Sequence, residues 1–232
     1  YSSRAFKEMV KKIINDEKVD AIHCITVRVM ENIPSNDKKL WIDFVDSLAF
    51  NFYSRKKETT SKIFRLLFDI EHSRLLAYEK KFIKLADKSF IVSSKDRDYL
   101  GSKELIVNKL GLDLSIYQNE RKPNKNNMII FTGNMSYYPN VNAVIWFIKN
   151  CWKDIQENYP ELKFYVVGRD PAKSIRNLAK KENNIFVTGS VNSISNIICK
   201  SSLSIAPMQA GSGMQLKILE AMACSVPVIT TS

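Results

Sequence analysis

The second half of the chain alternates short, continuous apolar runs with longer amphipathic segments. Strands that alternate with helices of about ten residues or more specify βαβ units and a parallel sheet. Because the apolar runs are continuous, we expect helices to cover both faces of that sheet. The predicted strands are 128–132, 162–168, 184–189, 203–207 and 226–231, and the predicted helices are 140–158, 172–181, 192–200 and 213–224.

The first half has a less regular pattern of the same kind. A long helix over 59–86 is predicted from apolar residues such as Ile63, Leu67 and Phe82, which recur at three- and four-residue steps. Glu79 falls on another face, which indicates an amphipathic core or docking helix. The other predicted elements are strands at 19–25, 39–46, 89–93 and 104–110, and helices at 3–16 and directly after residue 94.

A polar stretch at 119–127, without an apolar residue, separates the halves and predicts a linker. We therefore predict an α/β protein with two domains, 1–122 and 123–232, of which the second is doubly wound and Rossmann-like. No apolar run approaches the roughly 18 to 20 residues that span a bilayer. The chain opens in a helical pattern without Met and stops just after an apolar run, so we expect a fragment cut at both ends.

The net charge of +11 leaves three classes of partner open. A diffuse positive charge suits a nucleic acid, an anionic membrane surface or a phosphorylated small molecule. No basic helix with interleaved aromatic residues stands out, which weighs against nucleic acid. The 4 cysteines are widely spaced and there are only 2 histidines, so neither a metal site nor a disulfide framework is predicted.

The stretch APMQAGSGMQLKILEAMAC (206–224) carries the clearest chemistry. A glycine turn with Gly211 and Gly213 lets backbone N–H groups approach a ligand, and a helix N-terminus offers unpaired donors to a phosphate. Lys217 adds a full charge for a diphosphate, and Glu220 can accept from two vicinal ribose hydroxyls. For each residue alone a structural role is the better interpretation; the four together favour a ligand site.

Four blocks in order now point to a family. Residues 128–232 resemble the C-terminal, nucleotide-sugar-binding domain of family 4 glycosyltransferases with the GT-B fold. The matching blocks are FTGNMSYYPNVNAVIWF (131–147), YPELKFYVVGRDP (159–171), IFVTGSV (185–191) and APMQAGSGMQLKILEAMACSVPVITT (206–231). In the first half, 68–100 and 108–117 are similar to the acceptor domain of the capsule and exopolysaccharide members.

The resemblance implies two Rossmann-like domains, of which the N-terminal one is incomplete. Residues 1–122 correspond to a partial acceptor-side domain, and 123–232 to a nucleotide-sugar-binding domain that lacks its C-terminal helices. It also implies that Glu220 binds the donor ribose and that the glycine turn holds the diphosphate. The predicted donor-binding residues are Gly133, Asn134, Gly168, Arg169, Gly189, Ser190, Val191, Gly211, Ser212, Gly213, Met214, Lys217 and Glu220.

The chain departs from the family pattern at three places. Ser212 stands where many members carry the first carboxylate of an E-x7-E pair, and Gly133 is followed by Asn134 rather than by a basic pair that grips the diphosphate. Lys217 is expected to compensate. Asp46 takes the place of a frequent histidine, although it can equally cap the next helix. The predicted catalytic residues are therefore Asp46, Lys217 and Glu220.

These features predict a glycosyltransferase of the hexosyltransferase type. It would move a sugar from a nucleotide-diphosphate donor to a hydroxyl of a surface glycan or lipid-linked acceptor, in the cleft between domains, with retention implied by the family alone. Neither metal nor cofactor is expected, because backbone groups and Lys217 can neutralise the diphosphate. The alternative, favoured by Ser212, is a non-catalytic nucleotide-sugar-binding module.

A cytoplasmic location, at the inner face of the cytoplasmic membrane, fits a lipid-linked acceptor. The basic run 55–57 with Phe50, Phe52 and Tyr53 is a candidate contact with anionic lipid. A basic exposed loop beside a core helix is the alternative interpretation of the same residues.

Overall fold

The computed structural model describes residues 2–118, 127–209, 211 and 213–231, which form two compact units. The first unit comprises the residues up to Leu110 and the short segment Gly211–Met214, and the second comprises the rest. The predicted linker, at 119–127, lies almost entirely outside the described residues. No helix in the described ranges is long and apolar enough to cross a membrane.

The first unit is a parallel sheet with helices packed on it. Its strands lie in the order β1-β2-β3-β4, and adjacent strands are parallel. The buried side chains of this unit include Ile42, Phe44, Ile91 and Leu100. Its elements are α1 (Arg4–Asp16), β1 (Ala21–Ile25), a 3₁₀ helix (Val27–Asn32), β2 (Lys39–Asp43), α2 (Leu48–Glu58), α3 (Lys62–Leu85), β3 (Lys88–Ile91), α4 (Ser94–Leu100) and β4 (Leu105–Val107).

Serine side chains set where the helices of the first unit begin. Ser3, Ser47, Ser61 and Ser93 each accept from the N–H three residues later, at the N-cap of α1, α2, α3 and α4 respectively. Such caps satisfy N–H groups that have no partner within the helix. The cap at Ser47 starts a helix that the sequence pattern did not predict. The basic run 55–57 is the last turn of α2 and not a loop.

The second unit is a five-stranded parallel sheet in the order β7-β6-β5-β8-β9. Helices cover both faces, because neighbouring residues of β5 enter different cores: Phe131 packs with Trp152 and Phe164, and Ile130 with Ala221. The elements are α5 (Ser115–Gln118), β5 (Met128–Thr132), α6 (Tyr138–Phe147), a π-helical turn (Ile148–Trp152), α7 (Lys153–Asn158), β6 (Lys163–Val167), α8 (Lys173–Ala179), β7 (Ile185–Gly189), α9 (Ile194–Cys199), β8 (Leu203–Ala206), α10 (Leu216–Ala223) and β9 (Val228–Thr230).

The long helix α3 has a different burial pattern from the predicted one. Glu79, placed on an outer face by its spacing, is completely buried. Ile63 and Leu67, assigned to an apolar face that would pack, are 73% and 51% exposed. The residue spacing correctly predicted the helix and the burial of Phe82. It did not predict the burial of Glu79, whose carboxylate meets the start of α2.

Candidate functional site

Three glycines lie side by side at the carboxyl ends of neighbouring strands in the second unit. Gly133 follows β5, Gly168 follows β6 and Gly189 ends β7. The N–H of Gly133 donates to the carbonyl of Val167 at 3.0 Å, and that of Gly168 to the carbonyl of Gly189 at 3.2 Å. A Cβ on Gly168 would lie 1.7 Å from the carbonyl oxygen of Gly133, and its φ is +149°. Glycine is therefore required for this close approach of two backbones.

The residues after these glycines form loops at the same edge of the sheet. The side-chain oxygen of Asn134 accepts from the N–H and the hydroxyl of Ser136, at 3.0 and 2.9 Å. Arg169 has a side chain that is 69% exposed, Ser190 is exposed, and Val191 is half-buried. The carboxyl edge is where open parallel sheets bind ligands, so the predicted positions lie at a suitable place.

Lys217 is a buried cation near the start of α10, with 8% of its surface exposed. Its Nζ donates to the side-chain oxygens of Asn140, at 3.1 Å, and Gln215, at 2.9 Å. It also lies 5.1 Å from the ring centroid of Phe131. Burial lowers its pKa to about 8, and the neighbouring carboxylate of Glu220 opposes that shift. Because its hydrogen-bond acceptors are neutral, a bound anion would lessen the unfavourable burial of this charge.

Glu220 lies one turn further along α10 and is half-buried. Burial raises its pKa, whereas Lys217 and a hydrogen bond with Tyr117 lower it. Tyr117 is buried, and its own pKa is raised by burial and by Glu220. The helix thus brings a carboxylate and a cation together, as the three-residue spacing predicts.

Asp46 lies in a tight turn after β2. Val45 has a φ of +62°, an unfavourable conformation for a β-branched residue. Its N–H donates to a side-chain oxygen of Asp43 at 2.8 Å, and the N–H of Asp46 donates to the carbonyl of Phe44 at 2.7 Å. Ser47, and not Asp46, caps α2. The capping alternative for Asp46 is therefore wrong, and its catalytic role stays a prediction.

The side chain of Glu79 in α3 is hydrogen-bonded to the start of α2. Its carboxylate accepts from the hydroxyl of Ser47 at 2.9 Å and from the N–H groups of Leu48 and Ala49 at 2.6 and 3.3 Å. Burial raises its pKa to about 7, and these hydrogen bonds only partly oppose the shift. Glu79 therefore fixes the residue that directly follows Asp46.

Asp96 of α4 is a second buried carboxylate in the first unit. Its Oδ2 accepts from the N–H of Gly213 at 2.7 Å and from that of Ser47 at 3.4 Å. Among the described residues, its Oδ1 has no hydrogen-bond partner. Burial raises its pKa to about 6, the two backbone N–H groups oppose the shift, and the charge of Asp46 adds to it. Asp96 thus fixes both the glycine turn and the start of α2.

The glycine turn differs in part from the prediction. Helix α10 begins at Leu216, three residues later than expected, so Gly213 does not run directly into its N-terminus. Gly213 groups with the first unit, whereas Lys217 belongs to the second. Gly211 and Met214 are half-buried, and Ser212 lies outside the described residues.

Several residues that this geometry uses were not predicted as site residues from the sequence, namely Tyr117, Asn140, Glu79 and Asp96. Asp96 stands three residues after Ser93, a spacing typical of a local helix cap. Asn140 follows a proline at a helix start, and an asparagine at that position gives no indication of a functional site. Only the tertiary structure brings these groups to their partners. In the described ranges, no group of three or more His, Cys, Asp or Glu residues lies close enough to hold a metal ion.

Known proteins match the second part of the chain at the level of a family model, and nearly the whole chain at low identity. Residues 126–232 match the family model described as glycosyl transferases group 1. The matched segment is a little less than half of the 232 residues. A curated relative, an uncharacterized 44.6 kDa protein in the cps region of Klebsiella pneumoniae, is 22% identical over 236 residues. The alignment covers 97% of this chain and 61% of the relative.

Solved structures confirm the predicted GT-B fold class of this chain. TarM matches with a TM-score of 0.70 and 13% identity over 95% of this chain and 43% of its own. WaaG, a glycosyltransferase involved in lipopolysaccharide biosynthesis, matches with a TM-score of 0.61 and 16% identity, over 96% of this chain and 62% of its own. Anabaena HepE, solved in complex with UDP, matches with a TM-score of 0.64 and 13% identity, over 97% of this chain and 62% of its own. The chain thus spans less than two thirds of each of these proteins.

Proposed function

We propose that the protein transfers a sugar from a nucleoside-diphosphate donor to a hydroxyl of a surface glycan or lipid-linked acceptor. The observation that carries the proposal is the buried Lys217, which has neutral hydrogen-bond acceptors and a carboxylate, Glu220, one turn away. An anionic diphosphate would complete this arrangement. The family match of 126–232 and the UDP and UDP-glucose complexes of HepE support a UDP-sugar as donor.

In this proposal each residue acts on the leaving group or on the bound donor. Lys217 stabilises the negative charge that develops on the departing diphosphate, as preorganised cations do in water-poor sites. Glu220 accepts from the ribose hydroxyls and so orients the nucleotide. Asp46 is the third catalytic residue of the proposal and would act on the transferred sugar. Retention of configuration, a cytoplasmic location and a capsular or exopolysaccharide acceptor belong to the same proposal, which the relative from a cps region supports.

Binding of UDP, GDP, ADP and CMP, measured by calorimetry, tests the donor site. We expect selective binding of UDP, and a loss of at least about tenfold in Glu220→Ala, because a hydrogen bond to a charged group contributes about 1.5–3 kcal/mol. Glu157→Ala, at a carboxylate that is 64% exposed on α7, is the control and should bind UDP normally. Unchanged UDP affinity in Glu220→Ala would contradict the role given to Glu220.

The second candidate is a binding module without turnover, and Ser212 favours it because the first carboxylate of the family pair is missing. The two candidates differ in the release of UDP from UDP-sugars in the presence of an acceptor extract. Release above the level of buffer alone, lost in Glu220→Ala, supports the transferase. Tight UDP binding without release supports the module.

A further inference from the structure

The hairpin of α2 and α3 ends in a large exposed apolar face. Leu66 and Leu67 of α3 each lie three or four residues from both Ile63 and Ile70, and Ile63, Leu66, Leu67 and Ile70 are 73%, 62%, 51% and 50% exposed. Residues with this spacing share one side of a helix. Phe64 is 55% exposed beside them. We call residues 55–70 the hairpin end.

The opposite side of α3 is the one that packs on α2. The ring of Phe68 contacts the ring of Phe52, with centroids 5.9 Å apart, and the guanidinium of Arg55 at 4.6 Å. Asp69 pairs with Lys56. The aromatic residues that the sequence singled out are therefore half-buried inside the hairpin, whereas the aliphatic face of α3 points away from α2.

The hairpin end is also basic. It carries five cations against two carboxylates, and the cations come from both helices: Arg55, Lys56, Lys57, Lys62 and Arg65. Exposed Lys62 and Arg65 lie directly beside the apolar residues Ile63 and Phe64. Apolar side chains flanked by Lys and Arg are the combination that binds the interface of an anionic bilayer.

We propose that the hairpin end docks on an anionic lipid bilayer, with the apolar face of α3 in the headgroup region and the exposed cations Lys57, Lys62 and Arg65 on the lipid phosphates. A second copy of the chain is a poorer occupant, since two such ends would bring like charges together. The proposal goes beyond donor binding and does not depend on it, because Lys217 and Glu220 belong to the other unit.

Flotation with vesicles tests the apolar part of the proposal. The 232-residue chain should float with phosphatidylcholine vesicles that contain phosphatidylglycerol, and much less with phosphatidylcholine alone. Leu67→Gln should reduce the bound fraction about tenfold, because burial of such a side chain contributes about 1.5–3 kcal/mol. Leu85→Gln, at a residue that is 58% exposed at the other end of the same helix, should bind like the unmodified chain.

A second pair of variants tests the charges. Lys62→Gln should weaken binding about fivefold, since a cation near an anionic surface contributes about 1 kcal/mol, and Lys84→Gln in the last turn of α3 should not. Thermal unfolding and UDP binding, unchanged in all four variants, separate this result from misfolding and from failure of the donor site. Equal effects of Leu67→Gln and Leu85→Gln, or a dimer that Leu67→Gln dissolves, would overturn the proposal.

Discussion

The two units bury charges of opposite sign and satisfy them differently. In the first, the carboxylate of Glu79 accepts from three donors at the start of a helix, and that of Asp96 from two backbone N–H groups. In the second, the ammonium of Lys217 meets the neutral oxygens of Asn140 and Gln215. The carboxylates therefore hold the first unit together, whereas the cation has neutral hydrogen-bond acceptors and a carboxylate, Glu220, only one turn away, which is the basis of the proposed anion site.

The two units also differ in how the loops after their strands are positioned. In the first unit side chains position the loops after the strands, as Glu79 and Asp96 do for Ser47. In the second unit, backbones do so directly, through the contact of Gly133 with Gly168. Because titratable side chains hold the loops of the first unit, its stability should depend on pH. Because two backbones are in direct contact in the second unit, its stability should depend on any substitution that adds a side-chain atom there.

Gly168→Ala should have the largest effect. A Cβ located 1.7 Å from the carbonyl oxygen of Gly133 must move one of the two strand ends, and the φ of +149° adds strain. Overpacking and strain together predict a loss of unfolding free energy of more than about 3 kcal/mol, measured by urea denaturation. Gly111→Ala is the control, because its Cβ would meet no atom within 4 Å. Equal urea midpoints for Gly168→Ala and Gly111→Ala would contradict the close approach of Gly168 to the carbonyl group of Gly133.

The next largest effect should be a pH dependence of the unfolding free energy that is caused by Glu79. Its pKa rises from 4.5 to about 7 on folding, so its contribution to stability is present in full below pH 4.5 and is lost as pH rises through about 7. Asp96 acts in the same direction, with a pKa raised to about 6. We expect the unmodified chain to lose on the order of 3 kcal/mol between those limits from Glu79 alone, since each pKa unit corresponds to about 1.4 kcal/mol.

Glu79→Gln should flatten this pH dependence, because the amide keeps the volume and one acceptor oxygen but does not titrate. Urea midpoints measured between about pH 4 and pH 8 check the prediction. Glu71→Gln, a half-exposed position on the same helix, serves as control and should retain the slope. If the slope survives in Glu79→Gln, the buried carboxylate of Glu79 is not its source.

The same contrast explains what the sequence could predict. The continuous apolar runs of the second half predicted β5 to β9 to within a few residues. The central strands β5, β6 and β8 are mostly buried, which explains why their runs are apolar throughout. The glycines at the strand ends and the spacing of Lys217 and Glu220 are local features as well. The start of α2 is fixed by the local cap at Ser47 and also by Glu79, and the second contact, across 32 residues, has no signal in the local sequence. Asn140, likewise, meets Lys217 across 77 residues.

Lys217→Met should have the smallest effect on stability and the opposite sign. Burial lowers the pKa of Lys217 from 10.5 to about 8, so the folded chain at neutral pH carries a charge that burial disfavours. Replacement by an apolar side chain of similar length should stabilise the chain by about 1 kcal/mol at pH 7, since loss of the hydrogen bonds to Asn140 and Gln215 offsets part of the gain. The melting temperature without nucleotide should therefore rise.

Two further measurements separate this interpretation from simple repacking. The contribution of Lys217 to stability should increase as pH rises from about 8 toward 10.5, so the advantage of Lys217→Met over the unmodified chain should shrink over that range. UDP, which is expected to raise the melting temperature of the unmodified chain, should have little effect on the variant. A variant that is destabilised, and that UDP still stabilises, would mean that Lys217 serves the packing of α10 and that its charge is not reserved for a ligand.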